Sequence, residues 1–194
     1  MTFQVVTLAG SLRARSTNSA LLEAAGLLAP AGLNLVPYRE VSVLPHFNAD
    51  LESADAGLPS AVSRLRHLVG AADAIIISSP EYARGVPGAL KNVLDWLVGS
   101  TEFPNKPVAL FNASDRSVHA QASLRLILET MSAALVDKAS ITVPLLGQMT
   151  NGSEVVRDRE AADLIEGALA ALLAHLVARR NLRALAPTGS PSGA

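Results

Sequence analysis

The 194-residue chain has no cysteine. Disulfide frameworks, thiolate nucleophiles, dithiol redox chemistry and Cys-built zinc or iron–sulfur sites are therefore excluded, and any redox activity must come from a bound cofactor. No charge of one sign dominates: 16 Lys and Arg face 17 Asp and Glu, for a formal net charge of −1. Such a chain has no basic field to gather phosphates, so no nucleic acid partner is expected. Aromatic residues are scarce, at 4%. Long uninterrupted apolar runs are also missing. The opening MTFQVVTLAGS has no basic n-region and is broken by Gly10, Ser11 and Arg13, while Ala161 to Leu185 is interrupted by Asp163, Glu166, His175, Arg179 and Arg180. Neither a secretory signal nor a membrane span is expected, and the protein is placed in the cytoplasm.

What the chain does have is core material. A hydrophobic fraction of 49% against 17% charged residues describes a globular protein, and its length suits one domain. That domain is expected over residues 1–184, with 185–194 a flexible tail rich in Gly, Pro, Ser and Thr. Short β-branched runs alternate with segments of helical period. Strands are predicted at Val5 to Ala9, Leu33 to Val36, Ala74 to Ser78, Val108 to Asn112 and Ile141 to Leu145. Their apolar residues are consecutive, as expected where helices cover both faces of a parallel sheet. Helices are predicted from about Thr17 to Leu28, around Val62, Leu65, Leu68 and Val69, and around Leu90, Val93, Leu94 and Leu97. Another is predicted through Leu124, Ile127, Leu128, Met131 and Leu135, and a last one from about Asp158 to Arg183. Five βα units make an open, doubly wound sheet, because a closed barrel needs eight. The expected class is a three-layer α/β/α flavodoxin-like fold, order 2-1-3-4-5, with ligands at the carboxyl ends of its strands.

Two loops at those ends carry chemistry. GSLRARSTN, Gly10 to Asn18, joins strand 1 to helix 1, where open α/β folds place a phosphate. It has one glycine of the three that a dinucleotide fingerprint needs, and it lacks the Walker lysine. Ser11, Arg13, Ser16, Thr17 and Asn18 instead offer hydrogen-bond donors suited to a terminal phosphomonoester. A plainer reading leaves Ser16 or Thr17 as a helix cap and the rest as a solvated turn. The second loop, within SSPEYARGVPGALKNVLDW, follows strand 3 and faces the same crevice. Its Pro80, Gly85, Pro87 and Gly88 allow main chain to lie flat against a planar ligand, or else simply make a turn into helix 3.

These two segments together resemble the NADPH-dependent FMN reductase family of flavodoxin-like proteins, which includes quinone, chromate and azo-dye reductases. The resemblance implies FMN as cofactor and NAD(P)H as co-substrate, with FMN phosphate on Ser11, Arg13, Ser16, Thr17 and Asn18. It places Pro80, Glu81, Tyr82 and Ala83 along the isoalloxazine, joined by Ser114 from the loop after strand 4. No metal is implied. LPHFNADLE, Leu44 to Glu52, resembles a family loop near a subunit contact. A homodimer or homotetramer is therefore expected, also because Leu94, Trp96, Leu97 and Val98 together give the helix an apolar face wider than one sheet face covers. The chain departs from the family at Ala83, where Asn is usual, at Arg84, and in NASDRSVHAQ, which lacks a customary glycine pair. Arg84 is the candidate partner for the 2′-phosphate of NADPH.

Competing constellations are weaker. Ser114, Asp115 and His119 fall within six residues but lack a nucleophile elbow, and no two of the four histidines are spaced i, i+4. Glu81 is read more readily as a hydrogen-bonding staple than as an acid or base. The expected activity is hydride transfer through FMN to a small-molecule acceptor such as a quinone or free flavin. The alternatives are a one-electron carrier and a flavin-free interaction module. Near-neutral charge and a single aromatic, Tyr82, in the flavin loops favour the reductase.

Overall fold

The computed structural model describes residues 2–52, 57–145, 147 and 149–185. Strands β1 (Phe3–Ala9), β2 (Leu33–Tyr38), β3 (Ala74–Ser78) and β4 (Pro107–Asn112) are joined by β5 (Ala134–Leu135) and β6 (Ile141–Thr142). All pairings are parallel, in order β2-β1-β3-β4-β5, with β6 also on β4. Helices α1 (Thr17–Leu27), α2 (Ser60–Ala71), α3 (Gly88–Val98), α4 (Val118–Thr130), α5 (Gly152–Arg157) and α6 (Arg159–Leu185) cover the sheet. The expected flavodoxin-like order is what is observed.

Strand alternation divides the core in two. Phe3, Val5, Ala74, Ile76, Ala109 and Phe111 face α1, α5 and α6. Val6, Leu8, Ile75, Ile77, Val108 and Leu110 face α2, α3 and α4. Side chains two residues apart share a face, so consecutive apolar residues supply both halves of the core. Helix α6 is long and apolar enough by composition to cross a membrane. In this fold its Ile165, Leu169, Leu172 and Leu176 are buried against the sheet.

Three expectations need correction. The fifth strand is interrupted: β5 and β6 are separated by a 3-10 turn at Asp137–Ala139. The Ser140 hydroxyl accepts from Leu110 N–H at 3.0 Å and donates to Val136 O at 3.1 Å, patching the ladder where main chain leaves it. Val143 and Leu145 still donate to Asn112 and Ala113 carbonyls, so the predicted segment follows β4 although only its first two residues are strand. Leu135 belongs to β5, not to the fourth helix. That helix ends in a Schellman motif: Ala133 N–H donates to Leu128 O, Ser132 N–H donates to Glu129 O, and Ser132 has φ of +60°. Serine there gives none of the signal that glycine would. Helix α5 was not predicted at all; its Gly152 lies so close to α1 that a Cβ would come within 2.8 Å of Ala24 N.

The premise about α3 also changes. Trp96 and Leu97 are fully buried within the chain, and only Val98 of the expected apolar cluster is largely exposed. The segment after β2 covers that helix: Trp96 Nε1 donates to Pro45 O at 2.8 Å, and Phe47 meets the indole edge-on at 5.0 Å. Asn92 adds bonds to Pro45 O and from Phe47 N–H, at 3.0 and 2.8 Å. Of the expected tail, Leu185 is the last residue of α6 and residues 186–194 lie outside those described.

Candidate active site

The carboxyl ends of β1, β3 and β4 are neighbours, and each sends out one loop carrying candidate residues. β1 and β3 are in register through Ala9 and Ser78, and Gly10 N–H donates to Ser78 O at 2.8 Å. A Cβ on Gly10 would fall 2.7 Å from Ser79 Oγ, so glycine is what lets the first two loops touch. Asn18, buried in the first turn of α1, accepts from the Ser78 hydroxyl at 2.9 Å and fastens the same pair of segments.

The first loop ends in a helix start with donors to spare. Ser16 is the N-cap of α1; its Oγ accepts from Ser19 N–H at 3.3 Å, which leaves the hydroxyl proton available. Capping and ligand binding are thus compatible at Ser16. The N–H groups of Thr17 and Asn18 have no hydrogen-bond partner among the described residues, and they stand at the positive end of the helix dipole. Ser11 is buried and accepts from Arg13 N–H at 3.3 Å. The Arg13 side chain is exposed, whereas Arg15 reaches across to Thr150 Oγ1 at 3.4 Å.

The second loop is a raised two-residue turn. Tyr82 and Gly85 exchange both main-chain bonds, at 3.1 and 2.9 Å, and Ala83 and Arg84 between them have φ of +50° and +60°. This is a type I′ pattern, which favours Asn or Gly at its centre. Occupying it with Ala83 and Arg84 costs roughly 1 kcal/mol or more per residue. The turn exposes Tyr82, Ala83 and Arg84 to solvent. Glu81 points the other way: its Oε2 accepts from Ala120 N–H at 2.9 Å, in the first turn of α4. Glu81 is a staple between two site loops, satisfying an otherwise orphaned donor and complementing the helix dipole.

In the third loop Ser114 Oγ accepts from Arg116 N–H at 3.2 Å, and Ser114 N–H donates to Asn112 Oδ1 at 3.2 Å. Among the described residues no hydrogen bond joins Ser114 to His119, and no group of three potential metal ligands occurs. A cavity of about 780 Å³ opens on the β2 side of the first loop, lined by Ser11, Arg13, Leu22, Leu35, Tyr38 and Arg39. Pro80 to Arg84 and Ser114 do not line it. The Tyr38 hydroxyl there is buried with no hydrogen-bond partner among the described residues, and burial, reinforced by Glu40, pushes its pKa up to about 12.

Sequence reading did not anticipate the bonds by which Ser78 fixes the first loop and Asn92 and Trp96 fix the segment after β2. Only Ser78, at the end of a strand beside the crevice, stood where such a role could have been sought.

Residues 3–145 match the family described as NADPH-dependent FMN reductase. The chain belongs to that family. An NAD(P)H-dependent FMN reductase of Pseudomonas aeruginosa is 33% identical over 174 residues, covering 87% of this chain and 92% of the relative. A quinone reductase of Escherichia coli is 34% identical over 143 residues, 70% of this chain and 74% of its own. Among solved structures, FerB of Paracoccus denitrificans, a flavoenzyme NAD(P)H:(acceptor) oxidoreductase, superposes with a TM-score of 0.73 at 25% identity. That alignment spans 91% of this chain and 98% of FerB. The protein is an FMN-dependent NAD(P)H oxidoreductase. Its donor set fits the cofactor: two helix N–H groups unpaired among the described residues, a serine hydroxyl and the guanidinium of Arg13 in the same loop meet the needs of a phosphomonoester.

Proposed function

We propose that this family member uses a quinone-type small molecule as acceptor and holds FMN between the loops at residues 10–18, 80–84 and 112–117. The reading rests chiefly on the unpaired Thr17 and Asn18 N–H groups, at a helix start tied directly to β3 by the Asn18–Ser78 bond. Ser11, Arg13, Ser16, Thr17 and Asn18 would hold the phosphate. Pro80 to Ala83 would support the isoalloxazine, their loop fixed by Glu81 on α4, with Ser114 at the far side. FMN, when bound, supplies the hydride chemistry. The protein's part is to orient the two substrates and limit access. Main-chain N–H groups of Ala83 and Arg84 are unpaired among the described residues and supply polar contacts that do not depend on the Asn usual at position 83. No side chain acts as a nucleophile.

Reduction, not one-electron carriage, is favoured by Tyr82. It is 49% exposed and is the only aromatic side chain in the three loops, so one flavin face would be open to a nicotinamide or quinone. Alternate occupancy of one site would give ping-pong kinetics. Homo-oligomerisation and a cytoplasmic location are part of this reading; Val98, Phe47 and Leu51 are exposed apolar side chains that a second copy could cover.

The test is titration of the apoprotein with FMN and riboflavin, followed by rapid mixing of the FMN form with NADPH. FMN should bind much more tightly than riboflavin, and Arg13→Ala should weaken FMN by about 1.5–3 kcal/mol if its charge-assisted bonds form. Equal binding of the two flavins would refute the phosphate assignment, and flavin reduction slower than turnover would refute the reductase reading.

A further inference from the structure

At the opposite edge of the sheet, where the strands begin, a second cavity of about 290 Å³ is lined by Phe3, Asp73, Glu102, Lys106, Arg179 and Arg183 among others. We propose that this cavity binds a phosphomonoester dianion, at a site separate from the flavin loops. Four cations border it, because Arg180 lines it too, against two carboxylates. No ion pair joins any of the four to a carboxylate among the described residues. Asp73 has one oxygen committed already, accepting from Gln4 N–H at 2.8 Å.

The cations come from two parts of the fold, the start of β4 and helix α6, and three of them are held in place. Lys106, just before β4, donates to Ala72 O at 2.6 Å and Gly70 O at 3.4 Å, which leaves one ammonium N–H unspent. Arg179 donates to Asn105 O at 2.6 Å with one of its five N–H groups. Arg180 lies over the Phe3 ring at 4.3 Å, a stacking that leaves its in-plane donors free. Burial holds Lys106 below the ordinary ammonium range; Asp73 opposes that shift, and Arg179 and Arg183 add to it. Arg179 is lowered first by burial and then by the neighbouring Arg183.

A helix C-terminus attracts basic residues through its dipole, and that accounts for Arg183 in the last turn of α6. It does not account for Lys106, which belongs to another segment, or for the concave volume that these cations share. The excess of two positive charges matches a phosphomonoester, which carries about −1.5 to −2 at neutral pH. The volume lies at the lower end of small-ligand pockets, which run from about 300 Å³, so a phosphate with a short organic body fits and a dinucleotide does not.

The test is calorimetric titration of the full chain, saturated with FMN so that the first phosphate loop is filled, at constant ionic strength. Probes are glycerol 3-phosphate, inorganic phosphate, glycerol and citrate. Glycerol 3-phosphate should bind saturably and glycerol should not, and Arg179→Gln and Arg183→Gln should each weaken the ester about tenfold. Inorganic phosphate binding as tightly as the ester would support the dianion site and identify free phosphate as its ligand. Arg183 is exposed, so its variant keeps the test readable even if loss of the Arg179–Asn105 bond disturbs folding. Absence of saturation by either phosphate at about 10 mM, unchanged affinity in a folded Arg183→Gln protein, or tighter binding of citrate would overturn the proposal.

Discussion

Two residues at the carboxyl edge make opposite use of position. Arg84 is exposed on a turn whose left-handed backbone aims it away from the core, and no ion pair engages it among the described residues. A guanidinium there is free to meet the 2′-phosphate that distinguishes NADPH from NADH. Arg84→Ala should raise KM for NADPH up to about fivefold, the scale of an exposed ion pair, while KM for NADH stays nearly constant. Arg84→Gly relaxes the turn as well as removing the charge, so a matching result from both variants assigns the effect to charge. Equal changes for the two nucleotides would assign it to loop shape. Tyr38 is the converse case, a polar group sealed away with its hydroxyl unsatisfied. Such a group costs about 1–3 kcal/mol, so Tyr38→Phe should raise unfolding free energy by about 1 kcal/mol at neutral pH. As pH rises from 10 toward about 12, the unfolded tyrosine ionises first and the unfolded chain holds fewer protons. Stability of the parent protein should therefore fall across that window, and denaturant titrations of Tyr38→Phe should show a shallower decline.

At the level of elements, what was legible followed periodicity and what was hidden followed exceptions to it. The strands from β1 to β4 and the apolar stripes of α2, α3 and α6 were visible because covered strands read as consecutive apolar residues and helices at intervals of three and four. The end of α4 was not visible, since Met131 and Leu135 continue its spacing while Ser132 alone turns the chain into a left-handed conformation. Ser132→Gly removes that conflict and should stabilise the protein by about 1 kcal/mol, measurable as a higher urea midpoint at unchanged slope. A lower midpoint would mean that the Ser132 side chain makes a contribution larger than its backbone strain. The break between β5 and β6 was equally hidden, because a serine hydroxyl replaces a main-chain group in the ladder and composition does not announce that substitution. Residue type alone suits Glu81 to a staple, but its partner, the Ala120 N–H, is 39 residues away and is found only in three dimensions.

For the whole molecule, both candidate loops were legible because topology brings the ends of β1 and β3 together, and their donors were recognisable by type. The docking of residues 44–52 on Trp96 was not, as it depends on one carbonyl, Pro45 O, serving two side chains. The basic cavity at the other edge was hidden for the same reason: net charge sums over the chain and says nothing of where cations gather. The sheet's two margins, finally, bear on how the protein behaves in concentrated solution. Pro37 sits exposed in β2, and proline is tolerated in strands only at such margins, with its nitrogen turned outward and no donor to extend the sheet. The opposite margin offers two strands of two residues each. Neither is a good template for a neighbouring chain, which is how natural sheets escape aggregation. Pro37→Thr restores a donor and a strand-favouring side chain, and light scattering during mild heating should rise sooner than for the parent. If it does not, protection lies elsewhere; if it does, one ring closure in an outer strand keeps a parallel sheet soluble at high concentration.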